Sequence, residues 1–174
     1  MPTTFISPGG AAAPIEFECE NLAVRLDVEL PGDAAAITPV VDRVLDLVRD
    51  AGCAEGKEFE IETALREALA NAVRHGNHLQ PERKVHVDLS VDSGAVTIRV
   101  DDEGEGFDPS QIPDPTVPEN LLRPSGRGIF YMQQFMSRVQ FSRAPGGGTS
   151  VLMVKLLRPT TRSVENEEPN PRSR

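Results

Sequence analysis

The sequence predicts an α+β fold: a two-layer α/β sandwich in which a mixed, mostly antiparallel sheet carries helices on one face. Three observations predict it. Apolar residues alternate with polar ones near 22–30, 85–91 and 96–100, the period of half-buried strands. Apolar residues recur at helical spacing over 37–48 and 61–72. The resulting order is strand, helix, helix, hairpin, loop, helix, hairpin, which suits antiparallel pairing with the helices gathered in one layer.

Each element has its own justification. Leu22, Val24, Leu26, Val28 and Leu30 form the first strand, and Pro31-Gly32-Asp33 ends it. Ile37, Val40, Val41, Val44, Leu45 and Val48 form the first helix. Its start is open: Thr38-Pro39 reads as a cap and first helical residue, while Asp33 reads as the cap of an earlier turn. A second helix spans about 58–78, with Ile61, Ala64, Leu65, Ala68, Leu69 and Ala72 on its apolar face. Val85, Val87, Leu89 and Val91 alternate with His86, Asp88, Ser90 and Asp92. Ser93-Gly94 turns the chain, and Val96, Ile98 and Val100 return as the other arm of a hairpin. Residues 103–125 hold Pro109, Pro113, Pro115, Pro118 and Pro124 and break the pattern, the mark of a long functional or disordered loop. A short helix at about 127–137 carries Ile129, Met132 and Met136. Strands at about 138–143 and 149–157 flank Pro145-Gly146-Gly147-Gly148 and close the domain.

The chain has 174 residues, which suits one domain. The organisation expected is a mobile arm at 1–15, a folded unit at 16–157 and a disordered tail at 158–174, because both ends are rich in proline and polar residues and lack periodicity. The net charge of −9 repels phosphate backbones and anionic lipid headgroups, so direct nucleic-acid binding and a membrane-surface role are disfavoured. No stretch is long and apolar enough to span a membrane, and no basic start precedes an apolar run. Cys19 and Cys53 make no metal spacing and no disulfide framework, so reduced thiols in a cytoplasmic protein are expected.

Four segments carry candidate chemistry. On the second helix, Glu67, Asn71, Arg74 and His78 fall on one stripe of an ideal helix. An asparagine carboxamide can ligate a hard cation such as Mg²⁺, and a carboxylate one turn away can accept a proton. The bland alternative is a solvated helix face. Asp102-Glu103-Gly104-Glu105-Gly106 follows a strand ending at Val100. An aspartate there can accept a hydrogen bond from an exocyclic amine such as that of adenine, and the glycines admit a close ligand. The alternative is an ordinary strand-to-loop turn. Gly126-Arg127-Gly128-Ile129 opens a helix whose free N–H groups suit an anion, with Arg123 and Arg127 beside it. The alternative is a loop hinge. Gly147-Gly148-Thr149 enters the last strand, where the Thr149 hydroxyl can orient a carboxylate such as Asp102. The alternative is a hairpin turn.

In this order the four segments resemble the nucleotide-binding boxes of the GHKL ATPase superfamily. Glu67 and Asn71 match its N box, Asp102, Gly104 and Gly106 its D-x-G-x-G box, Gly126 and Gly128 its second glycine box, and Gly148-Thr149 its last box. Leu65 to His78 and Ser125 to Met136 look more narrowly like the bacterial anti-sigma-factor serine/threonine protein kinases, and the resemblance covers about 20–157. It implies a left-handed βαβ-containing sandwich with an ATP lid at about 107–125. It implies that Asn71 holds Mg²⁺, Asp102 binds the adenine amine and Glu67 is the catalytic base. Arg74, Arg123, Arg127 and Ile129 would complete the nucleotide site. Some kinases of the family carry a basic residue directly before the second glycine box, where this chain has Pro124-Ser125, and Arg123 stands one position further back.

The function implied is phosphorylation of a serine on a STAS-type anti-anti-sigma antagonist by ATP and Mg²⁺, with a sigma factor as the alternate partner in a partner-switching circuit. A homodimer is compatible with the resemblance. A histidine-kinase catalytic domain is the weaker rival. His75 and His78 lie in or beside the second helix and His86 lies on a strand, so none occupies a separate acceptor helix. A non-catalytic, nucleotide-gated binding regulator of the same fold is the alternative, against which the retention of both Glu67 and Asn71 argues.

Overall fold

The computed structural model describes residues 24–52, 54–106 and 127–157. The expectations for the arm, the lid and the tail, together with Leu22, Cys19, Cys53, Arg123 and Gly126, fall outside the described residues.

Five strands form one sheet in the order β1-β2-β3-β5-β4. They are β1 Val24–Pro31, β2 Lys84–Val91, β3 Ala95–Asp102, β4 Arg138–Arg143 and β5 Thr149–Leu156. All four pairings among the described residues are antiparallel, the limiting case of the mostly antiparallel sheet expected. The register sets Val87 against Val100 and Leu89 against Ile98, so the buried rows of β2 and β3 coincide. Asp92 fixes the tight turn between them by accepting the N–H groups of Gly94 and Ala95 at 2.8 and 2.9 Å.

Three helices, α1 Ile37–Asp50, α2 Glu58–Asn71 and α3 Arg127–Phe135, cover one face. Val41, Val44 and Val48 of α1 and Ile61, Leu65 and Leu69 of α2 are fully buried, and with Val85, Val96, Ile98 and Met153 they form one continuous core. No helix among the described residues is long and apolar enough to cross a membrane.

At one helix boundary the structure follows one of the two openings expected, and at another it differs from expectation. Asp33 caps a 3₁₀ turn over Ala34–Ala36, accepting the Ala35 N–H at 3.0 Å, and α1 follows directly. Thr38 and Pro39 therefore lie inside the first helical turn, where proline's missing N–H costs nothing. After Asn71 the second helix widens into a π-turn over Ala72–Gly76, marked by the Asn77 N–H donating to the Ala72 carbonyl at 2.7 Å. His78 and Leu79 follow in the left-handed region, at φ 53° and 56°. The Leu79 N–H closes the helix end on the Val73 carbonyl at 2.9 Å.

Candidate functional site

Asp102 occupies the last position of β3. It shares the parity of Val96, Ile98 and Val100, so its side chain points to the helix layer rather than to the open face of the sheet. Only 6% of it is exposed. Burying a carboxylate is costly unless donors satisfy it. Here its Oδ1 accepts the Gly104 N–H at 2.9 Å and the Thr149 N–H at 3.1 Å. Thr149 thus orients Asp102 through its backbone rather than through the hydroxyl expected from sequence. Neither of these bonds uses Oδ2. No ion pair to Asp102 is seen among the described residues, and among them two backbone N–H groups hold it.

Glycines make room for this carboxylate. A Cβ at Gly76 would stand 2.3 Å from the Asp102 Cγ, and one at Gly148 would stand 2.0 Å from the Asp102 carbonyl oxygen. A Cβ at Gly104 would meet the Gly76 carbonyl oxygen at 2.4 Å. Two of these three collisions are with backbone, which cannot step aside. Gly106 stands at φ 77°, and a Cβ there would lie 3.4 Å from the carbonyl oxygens of Gly147 and Gly148. The end of the second helix, the 102–106 segment and the β4–β5 turn therefore converge on one carboxylate.

Asn77 ties this convergence together and was missed in the sequence. It is fully buried. Its Nδ2 donates to the Lys84 carbonyl at 2.9 Å, and its Oδ1 accepts the Glu103 N–H at 3.0 Å. One side chain thus joins the π-turn to the start of β2 and the end of β3. The signal available in the sequence was an amide directly after Gly76, at a helix end.

The second locus lies one to two turns earlier on α2. Glu67 and Asn71 are half-buried and face the start of α3. A Cβ at Gly128 would stand 2.5 Å from the Glu67 Oε2 and 3.5 Å from the Asn71 Nδ2. Glycine here lets the first turn of α3 approach the carboxylate and the carboxamide closely. Ile129 packs against the core beside this contact, and Arg127 is exposed at the helix start.

The stripe of four residues does not survive intact. The π-turn adds a residue to one turn, so positions beyond Asn71 lose their 3.6-residue alignment with Glu67. Arg74 is exposed on that turn, and His78 lies past the helix in the left-handed region. The structure brings together Glu67, Asn71 and Gly128 in one place and Asp102, Gly104, Gly106 and Thr149 in another, joined by the π-turn from Ala72 to Gly76.

The chain has counterparts among known proteins. A family model described as a histidine kinase-like ATPase domain matches residues 30–155. An anti-sigma F factor of Oceanobacillus iheyensis is 37% identical over 101 residues, which are 56% of this chain and 68% of the relative. The anti-sigma F factor of Bacillus subtilis is 34% identical over 102 residues, with the same two coverages of 56% and 68%. A crystal structure of the RsbU and RsbW domains of a Mycobacterium tuberculosis protein is similar with a TM-score of 0.56 at 19% identity. The likeness covers 78% of this chain and 33% of that one, and it shows a shared fold.

Proposed function

Because the chain belongs to the histidine kinase-like ATPase family, we propose that it is an ATP-dependent serine protein kinase that acts as an anti-sigma factor. The observation that carries the reading is the buried Asp102 carboxylate, tied down through Oδ1 and ringed by glycines. Such a group is preorganised to accept a hydrogen bond from an amine, as the exocyclic amine of adenine requires. The similarity to anti-sigma F factors supports the regulatory half of the reading.

In this reading Asp102 selects the base while Gly104 and Gly106 leave its approach open. N–H groups in the first turn of α3, from Gly128 onward, face the phosphates with Arg127 beside them, and Arg123 and Gly126, earlier in the sequence, are proposed to serve the same phosphates. Asn71 offers a carboxamide oxygen to Mg²⁺, a donor that suits a hard cation. When bound, Mg²⁺ offsets negative charge on the phosphates. Arg74 keeps only a peripheral role, in contact with solvent. Glu67 accepts the proton of an incoming serine hydroxyl while that oxygen bonds to the γ-phosphorus and the bond to the β-phosphate bridging oxygen breaks, releasing ADP. Positioning and electrostatics carry most of the acceleration.

The acceptor is proposed to be a STAS-type antagonist, and the alternate partner a sigma factor, in a cytoplasmic partner-switching circuit that a homodimer of this chain would serve. The test is incubation of the purified chain with Mg²⁺, labelled ATP and a lysate of its own source. Acid-stable label on a small protein, lost with Glu67→Ala, is the expected result. Acid-labile label contradicts serine chemistry. Nucleotide binding without any transfer replaces the kinase by a non-catalytic regulator.

A further inference from the structure

The open face of the sheet, away from the helices, carries a second convergence of side chains. Asp27 of β1 and Asp88 of β2 are register partners, and His86 stands two residues before Asp88 on the same strand. Residues two apart on a strand share a face, so all three rise from the side opposite the core. Like charges directly opposite each other destabilise an antiparallel pair. The meeting of Asp27 with Asp88 therefore favours a cation between them.

The distances suit one. The His86 Nε2 lies 3.2 Å from the Asp27 Oδ1 and 3.8 Å from the Asp88 Oδ1. One donor atom from each residue lies within 4.8 Å of the other two. A tetrahedral ion with bonds of about 2.0–2.2 Å spaces its donors about 3.3–3.6 Å apart. Small rotations of exposed Asp27 close three donors on such an ion, with water as a fourth.

Neighbouring groups orient these donors as outer-shell partners do. Glu29, the register partner of His86, places its Oε1 3.7 Å from the His86 Nδ1. A carboxylate there favours a proton on Nδ1 and leaves the Nε2 lone pair for a metal. Arg99 donates to the Asp88 Oδ2 through Nε at 2.9 Å and through Nη2, so Oδ1 stays turned to His86. Asp101, the partner of His86 on β3, has a buried Oδ1 without a hydrogen bond among the described residues. Arg25 and Lys84 share this face but form no ion pair with these acids among the described residues. His86 alone, even protonated, would offer one charge to Asp27, Glu29 and Asp88, whereas a divalent ion offers two.

We propose that Asp27, His86 and Asp88 bind a divalent transition-metal ion of the Zn²⁺ class, which ties the edge strand β1 to β2. One imidazole nitrogen and two carboxylate oxygens suit Zn²⁺ or Co²⁺ better than Mg²⁺ or Ca²⁺, which take oxygen donors. The site lies across the sheet from Asp102 and does not depend on the kinase reading.

The test uses the full chain, stripped of metal with a chelator and free of nucleotide. Zn²⁺ is titrated against a chromophoric chelator for wild type, His86→Gln and Asp27→Asn, and melting is read with and without one equivalent of Zn²⁺. The expected result is one tight site per chain, about tenfold or more weaker in either variant. Zn²⁺ should raise the melting temperature of wild type more than that of the variants. The metal-free melting and the ATP affinity of the variants should match wild type. Co²⁺, a coloured substitute, should give a spectrum without a thiolate-to-metal band. No Zn²⁺ uptake by wild type overturns the proposal, and so does wild-type Zn²⁺ affinity in His86→Gln. A thiolate band also overturns it and moves the ion to Cys19 or Cys53.

Discussion

Asp88 and Asp102 sit on neighbouring strands of one sheet and meet opposite solutions to the same electrostatic problem. Asp88 faces the open side. Arg99 of the adjacent strand grips it through Nε at 2.9 Å and through Nη2, and His86 stands 3.8 Å away. Its charge is answered by mobile, half-exposed side chains that gain little over water. Asp102 faces the helices. Its charge is answered by two backbone N–H groups, and glycines let the neighbouring backbone close around it. The first arrangement is a surface cluster that water and ions reach. The second holds a desolvated carboxylate in one orientation, with an oxygen that neither backbone bond engages, which is what recognition of a ligand needs. Depth in the sheet and the size of the neighbours, rather than charge alone, separate a ligand pocket from an ion cluster.

Substitution at Gly148 should act most severely. A Cβ there would collide with the Asp102 carbonyl, so Gly148→Ala should cost about 2–3 kcal/mol of stability and abolish ATP binding. Chemical denaturation and calorimetry check both. Gly128→Ala is gentler, because the new Cβ meets the tip of the Glu67 side chain, which can swing. It should lower phosphoryl transfer about tenfold, the scale of a misplaced general base, with smaller loss of ATP affinity. Single-turnover rates beside titrations would separate the two effects. Arg99→Ala, on the open face, should cost at most about 0.5 kcal/mol and leave nucleotide binding untouched. The Asp88 hydrogen bond, with the neighbouring acids, outweighs partial burial and holds the Arg99 guanidinium above its ordinary value. A raised value means that its contribution is present at neutral pH and is lost only in strong alkali. The effect of Arg99→Ala on melting should accordingly be flat between pH 6 and pH 9, about the range a buffer series covers.

Much of this was legible in the sequence because it rests on periodicity. The alternation of Val96, Ile98 and Val100 already sets the parity that turns Asp102 inward, although the strand runs two residues further than the apolar run suggests. Glu67 and Asn71 lie on a regular helix, and their spacing survives. The π-turn was not legible. Ala72 and Val73 are buried as a continuing α-helix would have them, and no local residue marks the extra one that displaces Arg74 and His78. Gly76 and Asn77 owe their importance to contacts with β2 and β3 made only on folding. Asp27 and His86 alternate with apolar residues as any exposed strand positions do, and their meeting came into view only when β1 paired with β2.

The most direct test of the account is calorimetric titration of ATP and GTP, with Mg²⁺, into wild type and Asp102→Asn. The amide keeps the shape of the carboxylate but carries donors of its own beside the base. Wild type should prefer ATP, and Asp102→Asn should lose about 10- to 100-fold in ATP affinity with little change in melting temperature. Equal ATP affinity in the two proteins would contradict it and move the nucleotide away from this carboxylate.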